Sequence, residues 1–165
     1  MNDQDVVREL ELPGAQELLT STSLAHLAYN GMDGFPRVVP VGFLWNGQDI
    51  VVCTAPTAPK VGALSARPQV AVTIDAGDTP ETAKALSIRG VAEVDVVEGV
   101  AEEYLAAARR TMSAEAARIF EQQVRATYRR MARIVITPRW VRLFDFGGGR
   151  LPDFLQALVE QGAER

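Results

Sequence analysis

The residue types that perform unaided catalysis are scarce in this chain, and the scarcity directs the reading. His26 is the single histidine of 165 residues, so a Ser-His-Asp or Cys-His arrangement would have to use it. It lies in the apolar run Leu24–Asn30, where a histidine satisfied by its strand neighbours is expected over a catalytic one. Cys53 is the single cysteine, which leaves no intrachain disulfide and no cysteine-rich zinc site. It ends the run Ile50-Val51-Val52-Cys53 and reads as a small buried hydrophobe rather than a reactive thiol. The run Gly147-Gly148-Gly149 fails the Gly-x-Gly-x-x-Gly spacing, because Pro152 stands where the last glycine belongs. There is no Walker-type phosphate loop. With no catalytic set and no metal site to name, any chemistry would be borrowed from a cofactor.

Several residues are suited to holding such a group. Lys60, one of two lysines, follows Thr54 by six residues and opens a short helical stretch, with Pro56 and Pro59 stiffening its approach. A helix N-terminus offers free N–H groups and partial positive charge, which suits an anion, and the Thr54 hydroxyl can donate to the same anion. The competing reading of Lys60 is a solvated surface lysine. Arg89 is a second cation, equally able to pair with a carboxylate on a neighbouring strand. Pro40 lacks an N–H, so in mid-strand it marks an edge or a bulge that leaves backbone near Val39 and Val41 free for a flat heterocycle; protection of an edge against aggregation explains it as well. Trp140 offers a flat wall or an interface side chain.

The elements that must position these residues follow from periodicity and punctuation. Pro13 and Ala15–Leu19 read as a short helix, Leu24–Tyr29 as a strand, and Phe35–Trp45 as one long strand. Asn46-Gly47 signals a type I′ hairpin turn into the strand Asp49–Thr54. Lys60–Arg67 is a helix ended by Pro68, Gln69–Asp75 a strand, and Thr79-Pro80-Glu81 resembles a helix start. Leu86–Val97 alternates as a strand, and Glu98–Met112 and Ser113–Ala132 read as two helices. In the second, Ala117, Phe120, Val124, Tyr128 and Met131 form one apolar stripe, better suited to core packing than to a cofactor box. Arg133–Thr137 and Trp140–Phe146 are strands around Pro138, and a helix over 152–160 closes the chain. The sum is a mainly β (β+α) fold: a six- to seven-stranded antiparallel barrel with peripheral helices in a single domain, its core spanning about 18–146 and a helical insertion about 98–132.

The ordered set Pro36-Arg37-Val38-Val39-Pro40-Val41-Gly42-Phe43, Asn46-Gly47, Cys53-Thr54-Ala55-Pro56, Lys60, Arg67-Pro68-Gln69-Val70-Ala71-Val72 and Ser87-Ile88-Arg89-Gly90-Val91-Ala92-Glu93-Val94 resembles the pyridoxamine 5′-phosphate oxidase-like superfamily of FMN-binding split barrels. Within it, the chain is closer to the flavin/deazaflavin oxidoreductases, many of which use coenzyme F-420. The resemblance implies a split β-barrel, FMN or F-420 as cofactor, and a homodimer with cofactor sites at the interface. It implies cofactor contacts from Val39, Pro40, Val41, Thr54, Ala55, Lys60 and Arg89, with Trp140 approaching the partner's cofactor. Ala58 and Pro59 depart from the glycine and basic residue many relatives carry, which removes a second phosphate contact. The C-terminal signature of true pyridoxamine-phosphate oxidases is not evident.

Composition agrees with a soluble, cytoplasmic protein. Apolar residues make up 47% and charged ones 23%, with a net charge of −4, so no cationic field gathers nucleic acid or an anionic membrane. No stretch approaches the ~20 apolar residues that span a bilayer, and the acidic start lacks the basic region of a signal peptide. Fifteen arginines against two lysines suit a GC-rich, actinobacterial source. Three functions stay open: hydride transfer to a small conjugated acceptor, a cofactor carrier or sensor without turnover, and a structural dimer with a vestigial site.

Overall fold

A computed structural model describes residues 1–163 of the chain. In chain order the elements are α1 (Asp3–Leu10), α2 (Pro13–Ser21), β1 (Leu24–Asn30), β2 (Pro36–Gly42), β3 (Leu44–Trp45), β4 (Ile50–Thr54), α3 (Pro59–Ala66), β5 (Gln69–Ala76), β6 (Lys84–Glu98), α4 (Glu102–Arg109), α5 (Ala114–Thr127), β7 (Arg130–Asp145) and α6 (Asp153–Ala163).

The seven strands form one sheet in the order β2-β1-β5-β6-β7-β4-β3, and every neighbouring pair is antiparallel. The outermost strands, β2 and β3, are separated in the chain by Phe43 alone. The two sheet edges are thus tied covalently, and the sheet curls into a barrel that is split where β2 and β4 come together without a ladder. Phe43 fills the crossover and is 1% exposed. The strand alternation places Leu27, Val72, Ile88, Ile134 and Ile136 inside, with α2 supplying Ala15, Leu18 and Leu19 to the same core. This is the antiparallel split barrel with peripheral helices that the sequence implies.

Several elements differ from the sequence reading. Phe35–Trp45 is two strands rather than one, since the chain leaves β2 at Gly42 and resumes on the opposite sheet edge. The two strands expected around Pro138 are a single strand, β7. Its partner β6 shifts register between Arg89 and Gly90, so that Pro138 lies opposite Gly90 and the bulge absorbs it. A Cβ on Gly90 would lie 2.8 Å from the Thr137 carbonyl oxygen, which explains a glycine there. The Asn46-Gly47 turn is not type I′, because Gly47 alone has positive φ. Instead the Asn46 side-chain oxygen accepts the N–H groups of Gln48 and Asp49 at 2.9 and 2.7 Å, closing a longer loop.

The inserted helices are shorter than the periodicity suggests. Met131 and Ala132 pair with Val97 and Val96, so ladder formation extends β6 and β7 at the helices' expense. The apolar stripe does pack a second core: Phe120, Val124 and Tyr128 meet Leu105 and Met131 there. Thr79-Pro80-Glu81 forms a turn, and α6 runs beyond 160.

The helix α1 goes unsignalled by apolar periodicity. Its start is fixed by a capping box between Asn2 and Asp5, and it buries Val6 and Leu10. Its position has a purpose in the sheet. β4 pairs with β7 only as far as Ile136, which leaves the later edge of β7 open. There Glu9 accepts the Leu143 N–H at 2.9 Å and an Arg150 N–H at 2.7 and 2.8 Å. The helix thereby covers an edge that would otherwise invite a foreign strand. No helix among the described residues is long and apolar enough to cross a membrane.

Candidate cofactor site and the adjoining cavity

Cross-strand register sorts the candidate residues by face, because directly paired residues share one. One outward row runs Val38–Ala28–Ala71–Arg89–Trp140 and the next runs Pro40–His26–Thr73–Ser87–Arg142. Pro40, Arg89 and Trp140 therefore share the outer face. Val39 and Val41 pair with Leu27 and Ala25, and Thr54 with Ala132, on the inner face. Pro40, Arg89 and Trp140 lie on the opposite face of the sheet from Val39, Val41 and Thr54. A single chain thus does not gather all eight candidates around one ring.

Pro40 lies on an edge strand, β2, whose single neighbour is β1. Pairing with His26 keeps the ladder whole when the proline nitrogen turns to the open side. By alternation the open edge then presents the Pro40 carbonyl and the peptide groups of Val38 and Gly42. Gly42 has nothing within 4 Å of where a Cβ would stand, so this edge is sterically open.

Thr54 ends β4, and Ala55 and Pro56 lead into α3, where Ala63 and Leu64 anchor the helix in the core. The α3 N-cap, Ala58, provides no side-chain hydrogen bond, and Pro59 at the first turn has no N–H to satisfy. Among the described residues, neither the Lys60 ammonium nor the Thr54 hydroxyl has a side-chain hydrogen-bond or ion-pair partner. Both are half-buried. The Val61 N–H donates to the Ala58 carbonyl at 2.9 Å, and the cation and hydroxyl without side-chain partners at an uncapped helix start are a donor set that fits a phosphate.

Arg89 forms no ion pair among the described residues; its guanidinium lies 4.5 Å from the centroid of the Trp140 ring. His26 Nδ1 lies 3.4 Å from Asp75 Oδ1 on the exposed face.

Beside the split, α4 roofs a cavity of about 350 Å³ whose floor includes Gly42 and Cys53, the chain neighbours of Val41 and Thr54. Tyr104 and Phe120 stand 5.7 Å apart on its wall. Burial, reinforced by the Glu103 charge and opposed by Arg133, pushes the Cys53 thiol up to about 11. Burial also raises Tyr104. Burial alone would raise Glu103 as well. Hydrogen bonds from its own backbone and from Arg133 Nε, at 2.7 Å, outweigh it and hold the carboxyl below its ordinary value. Sequence reading missed this group. Its signal was present in the spacing of Tyr104, Ala107, Ala108 and Thr111, which places them on one helical face.

A family model for pyridoxamine 5′-phosphate oxidase matches residues 13–145, most of the chain. The chain belongs to the pyridoxamine 5′-phosphate oxidase family. Solved structures of the same fold agree. An F420 reductase is 24% identical, with 77% of this chain and 94% of that one covered at a TM-score of 0.60. A conserved hypothetical protein of Mycobacterium tuberculosis is 22% identical over 92% and 89% of the two chains, also at 0.60. The heme storage protein HutZ of Vibrio cholerae is 20% identical over 83% and 94%, at 0.56. No curated protein matches the sequence. The fold therefore accompanies both an F420 reductase and a heme storage protein among these neighbours.

Proposed function

We propose that the chain is an oxidoreductase that uses bound reduced FMN or coenzyme F-420 to pass a hydride to a small conjugated organic acceptor. The observation that carries this reading is the unpartnered pair Lys60 and Thr54 at the start of α3, beside the open edge of β2, in a chain of this family. When bound, the flavin or deazaflavin supplies the hydride. The chain's own residues do the rest: Lys60, Thr54 and the α3 N-terminus hold the phosphate, the β2 edge from Val39 to Val41 and Ala55 seat the ring, and the site keeps water out.

The reading includes a cytoplasmic homodimer. The outer face presents Leu24 and Val38 exposed, with Ala28, Ala71 and Thr73 between the strands, a flat surface suited to a second copy. Arg89 and Trp140, which stand on that outer face, would then meet the partner's cofactor.

A carrier without turnover is the second reading, and one observation favours it. The weak acids facing the cavity, Cys53 and Tyr104, are both pushed up and part with a proton reluctantly near neutral pH.

The test is a titration of the full chain and of Lys60→Ala with FMN and with F-420. Lys60→Ala should weaken binding by roughly 1–3 kcal/mol, the range of a charge-assisted hydrogen bond. An unchanged dissociation constant removes Lys60 from the site. Reduction of an acceptor by the loaded protein separates the oxidoreductase from the carrier.

A further inference from the structure

The lining of the cavity under α4 is unlike the cationic, N–H-rich setting that suits a phosphate. Its one charged lining residue, among the described residues, is an acid, Glu103. Arg133 Nε binds Glu103 Oε1 at 2.7 Å, and Arg133 is not among the lining residues, so the acid is the charge the wall presents. The remaining surface is largely apolar: Tyr104 and Phe120 on the wall, the small Ala107 and Ala108 on the roof, and Leu24 and Val51 beside them. Hydroxyls of Ser23, Thr111 and Tyr104 give it a polar rim. At about 350 Å³ it sits at the small end of ligand pockets, which run from about 300 to 1,000 Å³.

The roof is fixed at both ends, by Glu103–Arg133 at one and by Arg110 at the other, where the guanidinium binds the carbonyls of Thr20, Thr22 and Phe43. The cavity is therefore preformed, and its occupant need not supply the energy to build it.

We infer that this cavity binds an uncharged, planar organic molecule with a hydrogen-bonding edge, and that Glu103 turns anions away from it. Calling that molecule the hydride acceptor rests on the proposed function; the binding itself does not. Small roof residues admit a flat ring against Tyr104 and Phe120, and the hydroxyls meet its polar edge. An anion of the same shape would meet a carboxylate in a partly desolvated wall.

The probes are 2-naphthamide and 2-naphthoate, matched in shape, the first neutral and the second anionic near neutral pH, and inert to hydride transfer. Amide shifts of the full chain in solution should move saturably with 2-naphthamide at Gly42, Cys53, Tyr104 and Ala108, and 2-naphthoate should bind roughly tenfold more weakly. Glu103→Gln, which frees Arg133, should close most of that gap, and Ala108→Phe should abolish binding by filling the space. Equal binding of the two probes by the native chain, or shifts confined to another surface, would overturn the inference. Should Ala108→Phe fail to fold, the native shift map and Glu103→Gln still decide it. Neither probe requires cofactor, so a chain that binds 2-naphthamide but neither FMN nor F-420 refutes the proposed function and leaves this inference standing.

Discussion

Arg110, at the C-terminal end of α4, holds three parts of the chain together. One nitrogen donates to the carbonyl of Phe43 at 3.2 Å, and the other to those of Thr20 and Thr22, both at 2.7 Å. Its guanidinium also lies 5.3 Å from the centroid of the Phe43 ring. It thus satisfies the end of α2, pins the crossover that closes the barrel and anchors the helical roof. A hydrogen bond from a charged donor contributes about 1.5–3 kcal/mol. Three bonds share one half-exposed guanidinium here, so solvent replaces part of them in a truncated variant. Arg110→Ala should then cost about 3 kcal/mol, which for a domain of this size lowers Tm by about 6–12 °C at about 2–4 °C per kcal/mol. Arg110→Lys should recover only a minor part, because an ammonium cannot span carbonyls arranged for a planar fork. Thermal and urea unfolding followed by circular dichroism measure both. A fall in Tm below about 2 °C for Arg110→Ala would refute the reasoning, since water would then be satisfying all three carbonyls.

Other consequences are as direct. Gly90→Ala places a Cβ 2.8 Å from the Thr137 oxygen and 2.9 Å from Ile136 Cγ2, and should destabilise by about 1–3 kcal/mol in urea unfolding. Glu9→Ala strips the Leu143 N–H and Arg150 of their acceptor, so it should lower Tm and promote association through the bared β7 edge, read by light scattering. The Cys53 thiol is raised from 9.0 to about 11, so the fold favours its neutral form; the associated stability is present below pH 9.0 and is lost as pH rises through about 11. Native protein should therefore react slowly with a disulfide reagent at pH 8 and rapidly once unfolded, and Cys53→Ser should flatten the stability profile across that alkaline window.

The fold was legible where local chemistry and tertiary demand agree. The apolar runs of β1 and β4, the alternation along β6, Pro68 after α3, and the mid-strand proline of β2 all point to the observed arrangement. Pro138 misled because its consequence depends on Gly90, 48 positions earlier, and a bulge between distant strands leaves no local mark. The start of β7 looked helical because Met131 continues the stripe of Phe120 and Val124. The ladder to Val97 decided otherwise, and it is a long-range contact. The acidic start hid α1, since a capping box and two buried residues are little signal beside four carboxylates in twelve positions.

The candidate site was legible in part for the same reason. Lys60 and Thr54 stand out by rarity and by the prolines around them. The cavity under α4 joins residues from β2, β4, α4 and α5, and one helical face of it alone is written in consecutive sequence.

The most direct test of the central claim is a fluorescence and absorbance titration of the full chain with FMN and, separately, with coenzyme F-420. The account predicts saturable, one-site binding of one of them, weakened by Lys60→Ala and leaving the 2-naphthamide shifts at Tyr104 and Ala108 intact. Failure of both to bind would contradict it.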